Sequence, residues 1–247
     1  RISAFSELAQ LFKYITNKTQ PTSDDLKYKF NLLDEEIGYA INDSEAYNNW
    51  FTKQNVFFAL DNWAQALQEQ NLMKWAQAYS FEKKKKNVGI IMAGNLPLVG
   101  FHDLLSVVIA GHNALVKTSS KDDKLMLFII KYLRSINKEF DTIIQTVDRL
   151  VNFDAVIATG SNNTARYFEQ YFSKVPNIIR KNRTSVAVLN GNETEEDFKA
   201  LGEDIFRYFG LGCRNVTKIY FKSEEQIPTF FENIQDWGID VINHPKY

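Results

Sequence analysis

At 247 residues the chain is long enough to bury a sizeable core and to form one large domain plus part of a second. A formal net charge of −1 gives no basic excess that would recruit nucleic acid or an anionic membrane. One cysteine excludes an internal disulfide framework and, with only three scattered histidines, argues against a structural zinc site, so a reducing, cytoplasmic setting is expected.

No signal peptide is evident. The longest apolar run, Leu96 to Ala110, is interrupted by His102 and Asp103 and is too short to span a bilayer, which predicts a soluble protein. The sequence begins at Arg1 rather than Met and stops at Tyr247 after a strand-like run, and it reads as trimmed at both ends.

Residues Arg1 to Tyr79 read as helices. A first runs from Ile2 to Thr16, a turn follows at Gln20-Pro21-Thr22-Ser23-Asp24, and amphipathic stretches continue past Trp50, Trp63 and Trp75. Phe57, Phe58, Leu60, Trp63, Ala64 and Leu67 recur at helical spacing, as a packing face or, alternatively, as part of an acyl-chain groove. The run Lys83-Lys84-Lys85-Lys86 reads as a solvated boundary before the first buried strand.

From Asn87 the pattern becomes short apolar strands alternating with helices, the signature of a parallel sheet covered by helices. Strands are expected at Val88–Met92, Ala114–Lys117, Ile143–Val147 and Ala155–Ala158, with helices from about Leu98 to Ala110, Lys124 to Asn137 and Thr164 to Phe172. Open α/β sheets bind ligands at the carboxyl ends of their strands. Ala93-Gly94-Asn95-Leu96-Pro97 places an amide and backbone N–H groups at one such end. Val116-Lys117-Thr118-Ser119-Ser120 offers a cation and hydroxyls suited to a phosphate or ribose, and Gly160-Ser161 opens a helix whose N-terminus can seat a pyrophosphate. The GxGxxG fingerprint of the ordinary dinucleotide fold is absent.

Further on, Ile178–Lys181 and Ser185–Leu189 read as strands. Thr194, with Asp197 three residues later, caps a helix running to about Phe209; Lys218–Phe221 is a strand, Glu224–Trp237 a helix, and Val241-Ile242 the start of a last strand. The lone Cys213 lies in Phe209-Gly210-Leu211-Gly212-Cys213-Arg214-Asn215. It is either a small buried hydrophobe or a nucleophile held on a glycine-permitted bend beside a cation. His102 reads as a satisfied polar residue, and His112 and His244 sit in turn-like contexts.

In this order, Gly94-Asn95-Leu96-Pro97-Leu98, Val116-Lys117-Thr118-Ser119-Ser120, Thr159-Gly160-Ser161 and Gly210-Leu211-Gly212-Cys213 resemble the aldehyde dehydrogenase superfamily. The stretch from about Asn87 to Tyr220 is most similar to its acyl-CoA reductase branch, the LuxC-type fatty acid reductases. The resemblance implies an aldehyde-dehydrogenase-like α/β fold. Residues 1–182 would form the N-terminal helices and a Rossmann-like nicotinamide-cofactor domain, and residues 183–247 the first part of a catalytic domain.

It further implies NADPH-dependent reduction of a fatty acyl-CoA to aldehyde through an acyl-cysteine thioester, without a metal. Cys213 would be the nucleophile and Asn95 the oxyanion donor, with Lys117, Ser119, Ser120, Gly160 and Ser161 on the cofactor. Acyl-CoA is the implied partner, and family members commonly form homo-oligomers. Four departures refine this. Where relatives carry the Glu that activates water, the register places Arg180 or its neighbours Ile179 and Lys181, so the acyl-enzyme should resist hydrolysis and await hydride. Ser120 stands where NAD-preferring relatives place a Glu, which favours NADPH while leaving NADH usable. Ala165 replaces a common second glycine, and the family's later Glu-Phe-Gly-like motif has no counterpart before Tyr247, so an incomplete catalytic domain is expected. Rival readings are a cysteine acyltransferase or thioesterase working without nucleotide, and a non-catalytic binding subunit that keeps the fold.

Overall fold

The computed structural model describes residues 1–17, 19, 21–81 and 84–244; Gln20 of the expected turn, Lys83 of the basic run and Tyr247 lie outside them. The chain divides into two compact units, Arg1–Lys181 and Asn182–Tyr247.

The first unit opens with helices α1 (Ile2–Asn17), α2 (Asp24–Tyr47), α3 (Lys53–Ala66) and α4 (Glu69–Gln77). Ser23 starts α2 by accepting a hydrogen bond from the Leu26 N–H, and Thr52 does the same for α3 from Asn55. α1 is buried along most of its length because Phe5, Leu8, Leu11 and Phe12 lose all contact with water. The aromatic stripe of α3 is a packing face: Leu60, Ala64 and Leu67 are buried, and Trp63 meets Phe101 edge-on with ring centroids 4.8 Å apart. Phe5 and Phe12 close on Phe101 from the other helix, at 6.1 and 6.3 Å.

Strands β1 (Asn87–Ile91), β2 (Asn113–Lys117), β3 (Ile144–Thr146), β4 (Ala155–Thr159) and β5 (Asn177–Arg180) form a wholly parallel sheet of order β3-β2-β1-β4-β5. The central β1 and β2 are continuous apolar runs with buried middles, as strands covered on both faces must be. At the β5 edge Ile178 stays exposed. The crossovers are α5 (Phe101–Ile109), α6 (Lys124–Ile136) with the short α7 (Phe140–Ile143), and α8 (Asn162–Tyr171). Two starts differ from the sequence reading. α5 begins at Phe101 rather than Leu98, because Leu98 adopts a left-handed φ of 58° that no helix can continue through. α8 begins at Asn162, two residues early, because Ser161 caps it.

The second unit pairs parallel strands β6 (Ser185–Val188) and β7 (Val216–Tyr220) with α9 (Glu195–Phe206) and α10 (Gln226–Ile242). Its core gathers Leu189, Phe198, Leu201, Phe230 and Ile234. The expected cap is a full capping box: Thr194 Oγ1 accepts from Asp197 N–H, and the Asp197 carboxylate accepts from Thr194 N–H. The last expected strand is corrected. Val241-Ile242 forms the final turn of α10, because Phe230, Ile234, Trp237 and Val241 keep the helical apolar spacing through Gly238. α9 likewise stops at Phe206 instead of Phe209, in a 3-10 turn over Arg207–Gly210.

Among the described residues no helix is long and apolar enough to cross a membrane, and no group of three or more His, Cys, Asp or Glu could hold a metal ion.

Candidate active site

All five strands of the first unit deliver their carboxyl ends to one edge. β1 is the switch point, with β2 and β3 to one side and β4 and β5 to the other. That edge carries Asn95 after β1, Lys117, Ser119 and Ser120 at and after β2, Gly160 and Ser161 after β4, and Arg180 at the end of β5.

Asn95 is exposed on a loop braced from both ends. Before it, the Gly94 carbonyl accepts from Asn48 Nδ2 at 3.2 Å; after it, Leu98 N–H donates to Asp122 Oδ2 at 2.9 Å. Gly94 is required here, since a Cβ would lie 2.3 Å from Ser119 Oγ. The β1 and β2 loops therefore touch. Asp122 is buried, and desolvation pushes its carboxyl well above the ordinary carboxylate range, against the pull of the Leu98 N–H and with help from neighbouring Asp123.

Lys117 is exposed, and its Nζ donates to the Asp148 carbonyl at 2.7 Å, tying the β2 end to the segment after β3. Ser119 Oγ accepts from Lys121 N–H at 3.3 Å, and Ser120 is exposed. Ser161 is the N-cap of α8, accepting from Thr164 N–H at 3.2 Å, and the first turn of α8 holds no acidic residue. The α8 N-terminus is thus left with its positive dipole end uncompensated by carboxylate. Ala165 is fully buried beneath it.

Arg180 pairs in register with Thr159, and its carbonyl accepts from Gly160 N–H at 3.1 Å. Its Nη1 reaches both carboxylate oxygens of Asp103 at 2.7 Å, with the Asp103 side chain only 5% exposed and that of Arg180 34% exposed. That positions 179–181 hold no carboxylate is plain in the sequence; this counter-ion is not. An acid does stand here, supplied from α5, and it is committed to the guanidinium. Of the two neighbours, Lys181 pairs with Glu169 at 2.5 Å. His102, the next residue on α5, has an exposed side chain with Nδ1 3.7 Å from Asp103.

In the second unit Cys213 is exposed, which sets aside the buried-hydrophobe reading. It does not sit at a helix N-terminus. It follows three successive left-handed residues, Tyr208 (φ 55°), Phe209 (φ 57°) and Gly210 (φ 69°), that reverse the chain after α9. Two bulky residues in that region carry strain of the kind that collects at functional loops. Burial raises the Tyr208 hydroxyl to a pKa of about 12. The turn is closed by Asn215, whose N–H donates to the Gly212 carbonyl at 3.1 Å and whose Oδ1 accepts from Gly212 N–H at 2.7 Å. Asn215 Nδ2 lies within 2.8–3.2 Å of the carbonyls of Asp204, Ile205 and Arg207, capping the end of α9. Sequence reading missed this residue, and its signal was only a polar side chain immediately before a strand. His244, also without a signal in sequence, is buried with its ring 4.3 Å from that of Phe209.

Residues 8–232 match the family model described as acyl-CoA reductase (LuxC). The chain belongs to that family. None of the curated proteins matches it. Solved structures with the same fold include an oxidoreductase from Marinobacter aquaeolei (TM-score 0.65, 12% identity, 96% of this chain and 51% of that one). The NAD+ complex of an aldehyde dehydrogenase from Bacillus cereus is similar at TM-score 0.60 and 14% identity, over 93% of this chain and 49% of that one. The substrate-bound AldH of Staphylococcus aureus is similar at TM-score 0.55 and 16% identity, over 100% of this chain and 57% of that one. The chain thus has an aldehyde-dehydrogenase-like α/β fold and spans about half the length of these structures.

Proposed function

We propose that this protein reduces a fatty acyl-CoA thioester to the aldehyde, with NADPH as reductant and Cys213 as the covalent acyl carrier. The observation that carries the reading is the family match over residues 8–232, which includes Cys213. The residues of the sheet edge suit a dinucleotide. Ser161 opens a helix N-terminus free of acid, Lys117 brings a cation, and Ser120 brings no charge against a 2′-phosphate. When bound, the reduced nicotinamide supplies a hydride equivalent.

The protein's own groups divide the remaining work. The Cys213 thiolate attacks the thioester carbonyl carbon; a new C–S bond forms, the bond to coenzyme A breaks, and the departing thiolate takes up a proton. Asn95 Nδ2 donates to the oxygen on which charge develops, a contact worth about 2.7–4 kcal/mol in comparable oxyanion holes. Arg180, already bound to Asp103, leaves no free carboxylate at the end of β5 to activate water, so the thioester persists. Release of aldehyde returns Cys213 to its thiolate.

Intact-protein mass spectrometry after mixing with a long-chain acyl-CoA tests this, with Cys213→Ala as control. The reading expects an acyl adduct that requires Cys213, survives in water and disappears on adding NADPH. An adduct cleared by water without nucleotide points instead to a thioesterase, and the absence of any adduct on folded protein points to a binding subunit.

A further inference from the structure

We propose that Asp122, acting with Asn48, is the positioning residue of the oxyanion donor: the two buried side chains pin the loop on either side of Asn95 and so fix its amide. The inference rests on the reading of Asn95 given above. Three observations carry it. The pins reach the loop from distant segments, Asn48 at the carboxyl end of α2 and Asp122 in the segment between β2 and α6. The Leu98 N–H that Asp122 accepts belongs to a leucine held at φ 58°, a conformation leucine does not keep without an external partner. Finally, Asp122 Oδ1 is buried and finds no hydrogen-bond partner among the described residues. A carboxyl left half-satisfied in the interior is unfavourable for stability alone, and an apolar side chain would fill the space at less cost.

The brace also reaches the proposed cofactor edge. Asp122 N–H donates to the Ser119 carbonyl at 3.0 Å, and Ser119 leaves no room for a side chain at Gly94. Asn95 therefore has a rigid wall behind it, which an oxyanion donor needs because its effect falls off with small displacements.

The test is the rate of acyl-adduct formation in a single turnover for the unsubstituted protein, Asn95→Ala, Asp122→Ala, Asp122→Asn and the Asn95→Ala/Asp122→Ala pair. Asn95→Ala should slow acylation by about 10²–10³-fold. Asp122→Ala should slow it by about 10–100-fold with the half-saturating acyl-CoA concentration unchanged. Asp122→Asn, which keeps an oxygen for the Leu98 N–H, should stay close to the unsubstituted rate. On the Asn95→Ala background Asp122→Ala should add nothing, because both act through one group.

A folded Asp122→Ala that acylates at the normal rate, or one that slows the Asn95→Ala protein by its full factor, overturns the proposal. If Asp122→Ala does not fold, Asp122→Glu replaces it in the same cycle, displacing the acceptor by one methylene. Hydrogen exchange over residues 94–98, faster in the alanine or glutamate variant and unchanged in Asp122→Asn, reads the pin without turnover. Absence of adduct in the unsubstituted protein with the exchange result as expected would count against the proposed function, and with it any oxyanion role for Asn95, but not against the pin.

Discussion

Arg180 and Asp103 lie 77 residues apart in sequence and meet at 2.7 Å. Because Asp103 is almost wholly buried, Arg180→Met strands a charge, at a cost on the order of 2–3 kcal/mol; a fully buried pair would cost more, and the part-exposed guanidinium discounts it. Adding Asp103→Leu should recover most of that loss in urea unfolding, whereas an unrecovered loss would mean the guanidinium contributes by packing alone. Asp122 yields a pH prediction. Its folded-state pKa is raised by burial, so above the ordinary carboxylate value of about 3.9 the folded protein holds a proton that the unfolded chain has released. Its contribution is fully present below that value and is lost as pH rises through the folded pKa. Asp122→Asn removes the loss, so the stability advantage of the variant should grow as pH rises from 4; a gap that stays flat would show that Asp122 does not titrate this way. At this scale the sequence revealed residue types and not partners: that position 180 is no carboxylate is legible, while the acid that occupies Arg180 comes from another element and leaves no local pattern.

At the scale of elements, α9 and the turn after it depend on two side chains of unequal visibility. The Thr194 box was legible because both members lie within four residues, and Thr194→Ala should cost ~1 kcal/mol. Asn215 was not, because its partners are backbone carbonyls 8 to 11 residues back. Asn215→Ala leaves those carbonyls and the Gly212 N–H without their partner, and should cost about 2–3 kcal/mol while speeding hydrogen exchange across residues 207–215. If exchange there is unchanged, the left-handed run Tyr208-Phe209-Gly210 is held by its ring contacts instead. The buried strands β1 and β2 were readable because a two-sided core demands unbroken apolar runs. The sequence reading ends this helix at Trp237 and starts a strand at Val241, whereas α10 runs on to Ile242; nothing lies within 4 Å of a Cβ at Gly238, and the apolar face of the helix continues past it.

On the scale of the whole molecule, every residue proposed to touch the cofactor falls in Arg1–Lys181, while Cys213 falls in Asn182–Tyr247. The first unit has its own extensive core and needs nothing from the second to close its sheet. The second has five buried apolar residues in its core cluster and a two-stranded sheet, below the ~70 residues at which one core becomes self-sufficient. Expressed alone, Arg1–Lys181 should therefore fold and bind a nicotinamide dinucleotide in calorimetry, whereas Asn182–Tyr247 should remain largely unfolded by circular dichroism. The fragment then isolates the choice of cofactor from the chemistry of the thiol. NADPH should bind it more tightly than NADH, and Ser120→Glu should weaken NADPH selectively by at least about 5-fold, the worth of ~1 kcal/mol between unit charges 4 Å apart in water. Equal loss for both nucleotides would mean that the Ser120 position acts on the ribose or the loop, and no loss for either would place the 2′-phosphate away from β2.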